Sequence, residues 1–147
     1  MLIRKIQDVD KEKVFSILES EMGREYLEEM LQEWGKALNN EVNAFVVVEE
    51  DGNISGYAVL EKKVQIYYIN TIAVNKNSQG KGIGTNLIYY LKEEVKRKGA
   101  NILNVITDAD AQRTIQFYLK QGFEISGYVS NEFIPNVAQV HLYIRIK

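Results

Sequence analysis

The spacing of apolar and polar positions divides the chain into strands and helices in a readable order. Residues 2–7 carry a short strand pattern. Asp8 and Asp10 stand where a helix N-cap belongs, ahead of a helix over about 11–21 whose Val14, Ile17 and Leu18 share one face. Gly23 interrupts the pattern. A second helix follows over about 24–38, with Leu27, Met30, Leu31, Trp34 and Leu38 at three- and four-residue intervals, and Asn39-Asn40 ends it. The period then switches to two. Residues 44–49 are β-rich, Asp51-Gly52-Asn53 is a hairpin turn signal, and residues 54–63 pair back. Residues 65–74 are rich in β-branched and aromatic side chains, which completes an antiparallel meander.

A polar loop over 75–80 leads into a helix over about 81–98. Its apolar positions are Ile83, Leu87, Ile88, Leu91 and Val95, and Gly99 is its C-cap. Residues 102–107 read as a buried strand, so the stretch from 66 to 107 makes a β-α-β crossover. Asp108 or Asp110 caps a last helix that Gly122 stops near Gln121. Residues 123–130 and 137–146 form a closing hairpin around Pro135. No repeat, linker or low-complexity tract intervenes, and the pattern predicts one mixed α/β domain over residues 1–147.

Composition narrows the chemistry. Hydrophobic residues at 46% and charged residues at 26% are the balance of a globular domain able to bury its own core. A net charge of −2 argues against a general nucleic-acid binder. There are no cysteines, which excludes disulfides, thiolate metal sites and a cysteine nucleophile, and fits a cytoplasmic protein. His141 is the single histidine, so two-histidine metal motifs are excluded, and no Gly-x-Ser-x-Gly elbow accompanies it. The N-terminal residues lack a signal-peptide core, and no apolar run approaches the roughly 20 residues that span a bilayer. No metal, nucleic-acid or membrane partner is expected.

The informative stretch is Gln79-Gly80-Lys81-Gly82-Ile83-Gly84-Thr85, between a strand and a helix. A glycine-rich turn that opens a helix exposes backbone N–H groups with the positive helix end behind them, which suits a phosphate or pyrophosphate. Lys81 adds a charge. The spacing rejects a Walker A loop, because Gly82 follows Lys81, and a dinucleotide fingerprint, because Thr85 stands at the third glycine position. Residues alone leave open a tight loop with no ligand, or another phosphate ligand.

Gln79-x-x-Gly82-x-Gly84 resembles the Gln/Arg-x-x-Gly-x-Gly/Ala signature of the GNAT superfamily of acyl-CoA-dependent N-acetyltransferases. Thr71-Ile72-Ala73-Val74 before the loop and Phe117-Tyr118-Leu119-Lys120-Gln121-Gly122-Phe123 after it are similar to the family's flanking segments. The resemblance implies a mixed, mostly antiparallel twisted sheet of six to seven strands with about four helices, its fourth and fifth strands splaying apart around acetyl-CoA. It implies that Ile72, Ala73 and Val74 hold the pantetheine through backbone groups. It implies that Gln79, Gly80, Lys81, Gly82, Ile83, Gly84 and Thr85 form the pyrophosphate loop. A primary amine of unidentified nature, on a small molecule or a protein, then attacks the thioester directly in a ternary complex, and Tyr118 protonates the leaving thiolate. Homodimerisation is common among such proteins.

The sequence departs from the family at the general base. Asn70 stands where many relatives carry a glutamate, Ile106 stands at the other usual place, and Ala111 replaces an asparagine that often contacts CoA. A water chain ending at Asp108 or Glu61 is one route for the proton, with Asn70 orienting its water. The absent base also keeps a non-catalytic acyl-CoA-binding module on the same fold in play. Glu19, Glu21, Glu25, Glu28, Glu29 and Glu33 form an acidic stretch that suits a cationic acceptor, or simply a solvated face. Tyr67, Tyr68 and Tyr90 are candidates for an acceptor pocket or for sheet packing. Arg113 and Lys76 are within the reach of CoA phosphates on the same reading. His141 falls in the last strand as a packing residue.

Overall fold

A computed structural model describes residues 1–147. The elements are β1 (Leu2–Lys5), α1 (Lys11–Met22), α2 (Leu27–Leu38), β2 (Asn43–Val48), β3 (Ile54–Lys63), β4 (Ile66–Val74), α3 (Ile83–Arg97), β5 (Ile102–Asp108), α4 (Gln112–Lys120), β6 (Glu124–Val129) and β7 (Gln139–Arg145). Short 3-10 turns occupy Asp8–Asp10, Arg24–Tyr26 and Lys76–Ser78. The strands form an open, mostly antiparallel seven-stranded sheet in the order β1-β2-β3-β4-β5-β7-β6. β4 and β5 run parallel, as a crossover through α3 requires, and their pairing covers Tyr67–Ile69 against Leu103–Val105. Contacts group the chain into two units: Met1–Glu61 with Asn70–Leu91, and Lys62–Ile69 with Lys92–Lys147.

In the first unit, one face of the sheet is closed by α1 and α2. Val14, Ile17 and Leu18 from α1 meet Met30, Trp34 and Ala37 from α2 over Val46, Tyr57, Val59 and Ala73. Trp34 is the hub, with Phe15 edge-on at 5.8 Å and Tyr57 at 6.1 Å. The buried stripe of α2 is therefore Met30, Trp34 and Ala37. Leu27, Leu31 and Leu38, expected on the same face, stay more than 40% exposed. The helix begins three residues later than its pattern predicts, because Arg24–Tyr26 winds as a 3-10 turn. Another packing contact depends on Gly56 of β3. A Cβ there would lie 3.0 Å from Val47, 3.2 Å from Leu87 and 3.3 Å from Ile83, so only glycine admits the first turns of α3 at this distance.

The expected N-caps differ in detail. Asp10 precedes α1, but its carboxylate accepts both Arg4 guanidinium nitrogens at 2.8 and 3.0 Å and the Gln7 N–H at 2.7 Å. A bidentate cation outcompetes the helix N–H groups for those oxygens. Ala111, not Asp108 or Asp110, is the N-cap of α4. Asp108 is drawn away by the side chain of Gln139, which donates to it at 2.7 Å.

In the second unit, β5 and β7 pair antiparallel from Ile102 with Arg145 to Asp108 with Gln139, and β6 closes on β7. Tyr67, Ile69, Val95, Leu103, Val105, Tyr118, Phe123, Val140 and Leu142 are its buried apolar residues. Gly122 ends α4 at φ +95°, which lets the Phe123 N–H return to the Tyr118 carbonyl at 3.0 Å. No helix of the structure is long and apolar enough to cross a membrane.

Candidate active site

The glycine loop lies in the first unit. The Asn75 N–H donates to the Ser55 carbonyl at 2.7 Å, which ties the end of β4 to β3. Asn75 Oδ1 accepts the Asn77 N–H at 3.3 Å and starts the 3-10 turn. Gln79 then folds back, its side-chain nitrogen donating to the Val74 carbonyl at 3.1 Å. Gln79 thus sets the shape of the loop as well as belonging to its motif.

Gly80 and Gly82 sit at φ +80° and +82°, left-handed backbone that L side chains rarely adopt. A Cβ on either would find no heavy atom within 4 Å. The space beside them is open, as it is beside the turn glycines Gly52 and Gly99, and the left-handed backbone is what calls for glycine. α3 starts at Ile83, and the Asn86 N–H closes the first helical turn onto the Gly82 carbonyl at 3.0 Å. The N–H groups of Gly82, Ile83 and Gly84 precede that ladder, as the first donors of any helix do. Ile83 itself is an anchor, 3% exposed and packed by Gly56. Lys81 and Thr85 are exposed on the loop. Loop and helix end together form a donor-lined, positively biased anion cradle.

β4 leads into this cradle with Ala73 buried and Ile72 and Val74 half-buried. Upstream, the Asn70-Thr71 pair contacts two carboxylates. Asn70 Nδ2 donates to Glu61 Oε2 at 3.2 Å, and Thr71 Oγ1 donates to Glu33 Oε1 at 2.8 Å. Burial pushes the Glu33 carboxyl above its ordinary range, the Thr71 hydrogen bond opposes this, and the charge of Glu61 adds to the rise. Asn70 therefore stands at a polar junction rather than alone. Glu33 entered the sequence reading only as part of an acidic stretch. The pairing joins residues 38 positions apart, for which no local pattern exists.

The second unit holds Tyr118 on α4. It is 1% exposed, with Phe117 and Phe123 edge-on at 5.3 and 5.2 Å. Burial raises the phenol above its ordinary value, so it keeps its proton throughout the neutral range. Asp108 is occupied by Gln139. Ile106 lies in β5 opposite His141, and the His141 Nε2–H donates to Glu132 at 2.7 Å, so the histidine is a paired strand residue. Lys62 and Lys63 lie over the rings of Tyr67 and Tyr68 at 5.9 and 4.9 Å. In the first unit the Tyr90 ring packs edge-on against Phe45 at 5.1 Å. Arg113 and Lys76 are exposed.

Known proteins share this arrangement of elements. The structure of an aminoglycoside 6'-N-acetyltransferase complexed with coenzyme A superposes with a TM-score of 0.85 at 19% identity, over 100% of this chain and 98% of that one. The ribosomal-protein-S18-alanine N-acetyltransferase of Escherichia coli superposes with a TM-score of 0.84 at 17% identity, over 99% and 94%. At such identities the likeness establishes the fold. In sequence, the chain is 29% identical over 118 residues to the uncharacterized protein YdhI of Bacillus subtilis, covering 72% of this chain and 71% of that protein. It is 28% identical over 94 residues to an uncharacterized N-acetyltransferase of Methanocaldococcus jannaschii, MJ1207, covering 59% of this chain and 42% of that protein. The sequence model of the Acetyltransferase (GNAT) family matches residues 11–123, and the chain belongs to that family.

Proposed function

We propose that this protein is an acetyl-CoA-dependent N-acetyltransferase that moves the acetyl group to a primary amine by direct attack within a ternary complex. The observation that carries this reading is the open cradle at Gly80 and Gly82. Gly80, Lys81, Gly82, Ile83, Gly84 and Thr85 receive the pyrophosphate, shaped by Gln79. Ile72, Ala73 and Val74 offer backbone groups to the pantetheine in the manner of an added strand. The family membership and the coenzyme A held by a structural neighbour support the choice of cosubstrate.

Tyr118 is the group assigned to the leaving sulfur. An ordinary thiol has a pKa of about 8.5, below even an unperturbed phenol at about 10, so complete proton transfer from Tyr118 is uphill. Its contribution is a hydrogen bond that strengthens as charge builds on sulfur, and the proton follows from the attacking nitrogen or solvent. Asn70 orients the acceptor amine or its water.

Thermal unfolding with acetyl-CoA, against ATP and NAD, tests the reading. At about 100 times its dissociation constant the ligand adds about 2.7 kcal/mol. For a chain of this length that is a rise of roughly 5–10 °C. A rise with acetyl-CoA alone, followed by thiol release with an amine, is the expected result. A rise without thiol release from any amine favours a non-catalytic acyl-CoA-binding module. A rise with ATP or NAD instead would reassign the cradle.

A further inference from the structure

We propose that Glu33 of α2 is the proton acceptor for the acceptor amine, held at β4 by Thr71 and Asn70. This rests on the acetyl-transfer reading above. The sequence around β4 offers no carboxylate at Asn70, yet the fold supplies one there from another element. Glu33 differs from the five other glutamates of the acidic stretch. Glu19, Glu21, Glu25, Glu28 and Glu29 are exposed, whereas Glu33 is half-buried and bonded to a strand.

The groups that face Glu33 are few and named. β4 contributes the Thr71 hydroxyl and the Asn70 amide, β3 contributes Glu61 and the Tyr57 phenol, and α2 contributes Lys36. Tyr57 is itself pushed up, first by burial and then by the charge of Glu33. A second carboxylate and a buried phenol are poor company for a carboxylate kept only for structure. Glutamine would make the same Thr71 hydrogen bond without the charge. For a base the arrangement makes sense, because a raised carboxyl pKa lies closer to that of an alkyl ammonium, and Thr71 fixes the carboxylate through Oε1. Of the two carboxylates at this junction, Glu61 receives the Asn70 amide and lies further out along β3, next to the exposed Lys62 and Lys63.

The ammonium gives one proton to the Glu33 carboxylate. The neutral nitrogen attacks the carbonyl carbon, a C–N bond forms, and the C–S bond breaks with its electron pair left on sulfur. A second nitrogen proton ends on the thiol, and Glu33 returns its own to solvent.

Glu33→Gln tests the assignment. Thiol release from acetyl-CoA is followed between about pH 6 and pH 9 with spermidine, kanamycin and an alanine-terminated peptide. The expected result is a kcat/KM lowered by about 100-fold or more at neutral pH, the range of general-base catalysis. That loss shrinks as rising pH deprotonates the free amine. The variant melts at or above the wild-type temperature at neutral pH, because a disfavoured charge has been removed. Thr71→Val, which keeps the carboxylate and removes a bond that lowers its pKa, moves the rising limb of the pH profile to higher pH. Wild-type kcat/KM and an unchanged profile in Glu33→Gln overturn the assignment and leave acetyl transfer standing. Acetyl-CoA binding by the wild type with no turnover of any amine overturns the transfer reading and the role of Glu33 with it.

Discussion

On the proposed reading, Tyr118 serves the core and the chemistry at once. Its ring is wedged between Phe117 and Phe123 and contributes as any buried aromatic does. Its hydroxyl is the only part that phenylalanine lacks. Tyr118→Phe should therefore keep the fold and the affinity for acetyl-CoA while kcat falls by about 100-fold or more, the range for removing one hydrogen-bond donor to a developing charge. Calorimetric binding and steady-state turnover on the same variant separate the two effects, and unchanged turnover would remove Tyr118 from the reaction. Ser55 gives the opposite lesson. Its hydroxyl and the Trp34 indole nitrogen are buried without a protein hydrogen-bond partner.

At the scale of elements, turns decide where the strands end. Val64 joins β3 to β4 at φ +60° and is 92% exposed. A β-branched residue in left-handed backbone is strained, and here no packing compensates. Val64→Asn should stabilise the protein by about 1 kcal/mol, the cost of a left-handed conformation for an ordinary side chain. Chemical denaturation with an unchanged m-value would show it; no gain would mean that the β3–β4 turn relaxes freely. The glycine loop uses the same backbone region with the residue suited to it. There the positive φ values at Gly80 and Gly82 carry no such strain, and they leave the backbone uncovered where α3 begins.

For the whole molecule, two carboxylates bias stability in opposite directions. Burial pushes Asp10 up, but the Arg4 hydrogen bonds, the Gln7 N–H and the positive charges of Arg4 and Lys13 outweigh it and hold the carboxyl below its ordinary range. Its contribution is complete above the unfolded value of about 3.9 and is lost as pH falls through the lower folded value. Glu33 is raised, so it costs stability at neutral pH and returns it as pH falls toward about 4.3. Arg4→Met should destabilise the protein at neutral pH by about 3 kcal/mol, the lower end for breaking a buried pair, since Arg4 is partly exposed. Its acid unfolding should begin at higher pH than that of the wild type, because burial is then opposed only by the Gln7 N–H and the charge of Lys13. Superimposable acid limbs in thermal scans of the two proteins would show that Arg4 does not hold Asp10.

What the sequence determined by itself was local. Periodicity located every strand and helix of the sheet order to within a few residues, because amphipathic spacing is a property of neighbours in the chain. The glycine loop was legible for the same reason, since its motif, Gln79 to Thr85, is a run of neighbours in the chain. What only the tertiary structure decided was contact between distant residues. The stripe of α2 turned on Trp34 rather than on its leucines, with the Trp34 ring set against Phe15 of α1 and Tyr57 of β3. Asp108 ends β5 and takes the Gln139 amide across the β5–β7 ladder, while Ala111 stands at the N-cap of α4. The carboxylate absent at Asn70 arrived as Glu33 from α2, which one-dimensional spacing cannot encode, because only the packing of α2 on the sheet sets which glutamate meets the Thr71 hydroxyl.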